Sequence, residues 1–86
     1  MADDQISVRV RFFAAPREAL GFGEAEVDVS SGTTAGELID RLTEEYPVLR
    51  PYARFIHVAV NRAYVGMQTR LQDGDEVALL PPVGGG

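Results

Sequence analysis

At 86 residues the chain has room for one small domain, which buries only about 60–65% of the surface it exposes when unfolded, so a deep catalytic cavity is not expected. Thirteen acids against eight bases give a net charge of −5, and the bases are scattered singly, which excludes the basic stripe that binding to nucleic acid requires. The chain has no cysteine, which rules out disulfides and thiolate chemistry and fits the cytoplasm, and neither the acidic start, Met1-Ala2-Asp3-Asp4-Gln5, nor any apolar run suits a secretory signal or a membrane span.

Ile6-Ser7-Val8-Arg9-Val10-Arg11-Phe12 alternates strictly. This predicts a strand with Ile6, Val8, Val10 and Phe12 buried and the serine and arginines in water. Phe13 breaks the pattern by placing an aromatic where the exposed face comes due. Residues 14–21 read as a short helical turn that Gly21 stops. Glu24-Ala25-Glu26-Val27-Asp28-Val29 alternates again, predicting a second strand antiparallel to the first.

Thr34 and Glu37 have the spacing of a capping box, in which hydroxyl and carboxylate each accept from a backbone N–H at a helix start. Leu38, Ile39, Leu42 and Tyr46 then recur at helical spacing, with Asp40, Arg41, Glu44 and Glu45 toward the other side, and Pro47 ends the helix. Residues 48–54 are expected to be irregular, since Pro51 forbids a helix interior. Residues 56–61 predict a third strand, Asn61-Arg62 a turn, and Ala63-Tyr64-Val65 a short fourth strand. Asp73-Gly74 supplies a tight turn into Glu76-Val77-Ala78-Leu79-Leu80, the last strand, which Pro81-Pro82 terminates.

Strand, strand, helix, strand, short strand, strand is an α+β plan in which one mixed sheet packs on one main helix, the order of a β-grasp fold. Residues 1–86 are read as a single domain, with residues 1–5 a disordered extension and residues 82–86 an extended tail.

That tail, Pro82-Val83-Gly84-Gly85-Gly86, carries the functional signal. A terminal carboxylate is a poor electrophile until ATP adenylates it, after which it accepts sulfur as a thiocarboxylate. An activating enzyme must hold such an end in a groove where a Cβ would collide, which suits glycine. Elsewhere the chain offers little catalytic equipment. His57 is the sole histidine and reads as a surface or packing residue, no serine sits in a nucleophile elbow, no phosphate loop is present, and Asp73, Asp75 and Glu76 read as solvated turn acids rather than a cation site. All eight bases are arginine. Codon usage accounts for this, although it also leaves an activated terminus no lysine amine on its own chain to attack.

Arg11-Phe12-Phe13-Ala14 with Arg17-Glu18, then Ala59-Val60-Asn61, then Asp73-Gly74-Asp75-Glu76-Val77-Ala78 running into Pro81-Pro82-Val83 and Gly85-Gly86, resemble the small, sulfur-carrier subunits of molybdopterin synthase. The resemblance spans nearly the whole chain and implies a ubiquitin-like β-grasp fold. It further implies that a ubiquitin-activating-like adenylyltransferase uses ATP on Gly86, that a sulfurtransferase makes the thiocarboxylate, and that no cofactor is bound. The tail would then enter the large synthase subunit and give its sulfur to cyclic pyranopterin monophosphate, within a heterotetramer whose large subunit supplies the catalytic side chains. On the same resemblance Gly85 and Gly86 would be the reacting end, and Pro82, Val83 and Gly84 would lie in the partner. Phe13 and Leu80 match positions that dock on the large subunit, joined by Tyr64 or Val65 if these cluster with them, and Arg17 matches a partner-facing position.

Three rivals remain open at this point. A carrier for thiamine or cysteine synthesis would use the same chemistry at Gly86 with a different recipient. A protein modifier would be joined through Gly86 to target lysines. A plain interaction domain would carry an inert tail.

Overall fold

The computed structural model describes residues 4–81. Its first strand, β1 (Gln5–Phe12), realises the alternation of the sequence: Val8, Val10 and Phe12 are buried, while Arg9 on the opposite face is exposed. It pairs antiparallel with β2 (Glu24–Ser30) along a ladder from Gln5↔Ser30 to Arg11↔Glu24. Gln5 is therefore part of the sheet and not of the N-terminal extension in which the sequence placed it. Ladder hydrogen bonding carries the strand past the end of the apolar alternation.

Between these strands lies α1 (Ala14–Leu20), stopped as expected by Gly21, whose left-handed φ of 87° lets its N–H donate to the Arg17 carbonyl at 2.9 Å. Ala14 begins the helix at φ 57°, which costs a residue with a Cβ roughly 1 kcal/mol and turns the chain off the sheet directly after Phe13.

The main helix, α2 (Ala35–Glu45), starts at the capping box: the Thr34 hydroxyl accepts from the Glu37 N–H at 3.2 Å, and the Glu37 carboxylate accepts from the Thr34 N–H at 2.9 Å. Ala35, Leu38, Ile39 and Leu42 form its buried stripe. Residues 48–54, expected to be irregular, instead form a 3₁₀ turn (Pro47–Leu49) and a four-residue helix, α3 (Arg50–Ala53). Pro47 and Pro51 both sit in a first turn, where the N–H that proline lacks has no intrahelical partner anyway.

The remaining strands are β3 (His57–Val60), β4 (Ala63–Val65) and β5 (Glu76–Leu80). Asn61 and Arg62 join β3 to β4 with φ of 51° and 74°, the two positive values of a type I′ hairpin turn. Gly74, at φ 86°, makes the turn into β5. Sheet order is β2-β1-β5-β3-β4, so β5 is the middle strand, parallel to β1 and antiparallel to β3. Val27, Val29, Val58, Val77 and Leu79 join the buried residues of β1 and α2 in one core cluster, with Leu49 and Ile56 sealing it from the α3 side. The architecture is α+β, a ubiquitin-like β-grasp.

Candidate functional site

With α2 on one face of the sheet, alternation turns the other residues of each strand to the open face. Strand register puts Glu24, Arg11, Ala78, Ala59 and Tyr64 in a single row across all five strands. Leu80 stands one step further along β5, opposite His57 of β3. Phe13, Leu80 and Tyr64 line one shallow hollow of roughly 270 Å³, with Ala59 and Ala78 as its floor and Arg11, Arg62 and Glu76 at its border. The two alanines matter because larger side chains there would fill the hollow. Tyr64 is 65% exposed, whereas Phe13 and Leu80 are half-buried.

The structure thus brings together Phe13, Leu80 and Tyr64 but leaves Val65 out. Val65 pairs with Val58 and packs against the core, since its neighbour Tyr64 occupies the open face and successive residues alternate. Arg17 is exposed on α1, where it lines a depression with Arg11, Phe13 and Glu24, and it has no ion pair among the described residues. A Cβ added to Gly23 would lie 3.0 Å from the Arg17 Nε, so the glycine makes room for this arginine.

Charges at the border are held in place. Arg11 donates to the Glu76 carboxylate at 2.9 Å, and its guanidinium lies 5.7 Å from the centre of the Phe13 ring. That hydrogen bond, with the attraction between the two charges, holds the Glu76 carboxyl below the usual glutamate range and raises Arg11. Of the acids that the sequence suggested were solvated, Asp73 is exposed and Asp75 is not, and both also have structural partners. Asp75 is buried and accepts from the Asn61 amide at 2.9 Å and the Gln72 N–H at 2.7 Å, while Asp73 accepts from the Ser7 N–H at 2.8 Å. Asn61 in turn accepts from the Glu76 N–H at 3.0 Å, tying the hairpin turn to the start of β5. Among the described residues no group of three or more His, Cys, Asp or Glu side chains is placed to hold a metal ion, and no helix is long and apolar enough to cross a membrane.

Sequence reasoning missed Ala59, Ala78 and Arg62 as members of this face. For the two alanines the signal is strand parity, readable once the pairing register is known; Arg62 reaches the face from the β3–β4 turn. His57 is exposed and meets Tyr64 edge-on at 6.5 Å between ring centres. Pro82, Val83, Gly84, Gly85 and Gly86 lie outside the described residues. The last described residue, Pro81, follows Leu80 directly, so the described chain ends beside the hollow.

Residues 10–86 match the model of the ThiS family. The chain is 44% identical over 82 residues to the molybdopterin synthase sulfur carrier subunit of Mycobacterium tuberculosis, covering 94% of this chain and 99% of that one. Among solved structures it is similar to a putative molybdopterin converting factor subunit 1 from Pyrococcus furiosus (TM-score 0.81, 29% identity, 91% and 99% of the two chains). It is also similar to small archaeal modifier protein 1 of Haloferax volcanii (0.79, 28%, 91% and 99%) and to a chain in the complex of subunits 1 and 2 of the molybdopterin-converting factor from Helicobacter pylori (0.69, 28%, 94% and 100%).

Proposed function

The chain belongs to the ThiS family, and from that premise we propose that it is the sulfur-carrier subunit of a molybdopterin synthase. One observation carries the reading: the middle strand β5 ends at Leu80, inside an apolar hollow, and the glycine tail begins two residues later. Docking surface and reacting end are therefore neighbours, as a chain that delivers a group into a partner's active site requires.

In this reading the Gly86 carboxylate attacks the α-phosphate of ATP on a ubiquitin-activating-like adenylyltransferase, and pyrophosphate leaves. Sulfide-level sulfur delivered by a sulfurtransferase then attacks the acyl carbon and displaces AMP, which leaves a thiocarboxylate at Gly86. The hollow formed by Phe13, Leu80 and Tyr64 docks on the large synthase subunit, with Arg17 in the adjoining depression beside Phe13, and residues 82–86 enter that subunit's active site. There the sulfur passes to cyclic pyranopterin monophosphate, and two such transfers build a dithiolene. The chain needs no bound cofactor, works in the cytoplasm, and forms a heterotetramer with the large subunit. The complex of subunits 1 and 2 from Helicobacter pylori supports such a large-subunit partner.

The test uses the chain prepared as a Gly86 thiocarboxylate, mixed with an active large subunit and the pyranopterin precursor. Dithiolene product that is absent with the plain carboxylate supports the reading; no product overturns it. Similarity to a small archaeal modifier protein favours a second reading, attachment through Gly86 to lysines of other proteins. Lysine adducts of Gly86 in cell extracts would support that reading, and a pool of free thiocarboxylate counts against it.

A further inference from the structure

A second apolar hollow lies on the other side of the point where the tail departs. Ala15 and Pro16 of α1 form one wall, Tyr52, Phe55 and Ile56 the other, and Pro81 closes its end; its volume is roughly 260 Å³. Phe55 is 55% exposed, a large aromatic that the core does not need. None of these residues is used by the docking surface described above.

Three observations say what covers the hollow. First, it continues the docking face: Phe13 and Leu80 line the sheet hollow, and the residues that follow each of them, Ala14 and Pro81, line this one. The left-handed backbone at Ala14 turns the chain from one hollow to the other. Second, Gly86 is five residues from Pro81, so it reaches at most about 18 Å from the groove's end. A protein that draws Gly86 into an active site must hold that site within this distance of Pro81, so its surface comes close to the groove's end. Third, the charge is inverted locally. In a chain of net charge −5, residues 14–20 and 50–56 hold Arg17, Arg50 and Arg54 against Glu18 alone, and the Arg54 guanidinium lies 5.9 Å from the centre of the Phe55 ring.

We propose that this groove is a second docking subsite for the large synthase subunit, taking an apolar side chain that the large subunit presents among carboxylates at the mouth of its tail channel. The inference rests on the carrier reading above and adds to it a partner contact at the root of the tail. An apolar side chain seated there loses water contact together with Phe55, and Arg54 beside that ring meets a carboxylate, which selects against neutral or basic channel mouths.

The test measures affinity of the full-length chain for the large subunit. Variants are Phe55→Glu in the groove, Leu80→Asp in the sheet hollow, and Met67→Glu as a charge control on an exposed residue against the start of α2. Amide spectra establish that each is folded. We expect Phe55→Glu to weaken binding by roughly tenfold or more, as removal of a buried anchor does. Met67→Glu should stay within about twofold of the parent, as surface changes outside a contact do. Parent-like binding by folded Phe55→Glu, with Leu80→Asp weakened, overturns the groove while leaving the carrier reading intact. Weakening seen only with the activating enzyme also overturns it. If the parent chain fails to bind an active large subunit, the carrier reading falls first and takes the subsite with it.

Discussion

Arg11 and Glu76 meet at 2.9 Å on the border of the sheet hollow, and the same guanidinium reaches the ring of Phe13. One arginine therefore joins an ion pair between β1 and β5 to the aromatic residue of the proposed docking surface. Because the Glu76 carboxyl sits below its usual range when folded, the pair stabilises the fold above the ordinary glutamate range and loses that contribution as pH falls toward the lowered value. Urea unfolding should show Glu76→Gln less stable than the parent at neutral pH and the gap closing as the pH falls below the ordinary glutamate range. Both side chains are solvent-accessible, so the effect is small. A gap that persists in acid would mean that glutamate acts here through packing.

Removing Gly86, or changing Gly85→Ala, should leave the fold unchanged, since the core cluster among the described residues runs from Val8 to Leu79, upstream of both. Sulfur transfer should drop by about 10²-fold or more, because a misplaced reacting end forfeits proximity. Activity at the parent level with folded protein would contradict the role given to the terminus.

Phe13→Asp and Leu80→Asp place a charge in the sheet hollow that docking must strip of water. Affinity for the large subunit should fall by roughly 10–100-fold, read by calorimetry. Val65→Thr is the matched contrast. Its side chain faces the core, so it should lower stability and leave the affinity of the folded fraction unchanged.

Leu42 is fully buried at the centre of the α2 stripe, and Leu42→Ala should cost about 2–5 kcal/mol in urea unfolding. Thr34→Ala removes half of the capping box and should cost about 1 kcal/mol. A Thr34→Ala loss as large as that of Leu42→Ala would mean the cap is coupled to the nearby Leu71 N–H, which donates to the Thr33 carbonyl.

Much of the architecture is legible from local chemistry. The alternation of β1, the Thr34–Glu37 pair and the Asn61-Arg62 turn are each written within a few residues, and each appears where the sequence placed it. The differences arise where distant parts decide. Pro51 reads as a helix breaker, yet a preceding 3₁₀ turn lets it occupy a first turn. Tyr64 and Val65 are equivalent in a three-residue strand until pairing with Val58 assigns their faces. The floor of Ala59 and Ala78, and the meeting of Phe55 with Pro16 and Pro81, require register and packing that no short stretch encodes.

The tail is continuous with the middle strand of the sheet, which is hydrogen-bonded along both sides, to β1 and to β3. Traction on residues beyond Pro81 therefore loads two ladders in shear together, where an edge strand would peel one bond at a time. The domain resists being unravelled by its own handle, so successive partners can grip the end, draw it in and let it go while the body stays folded.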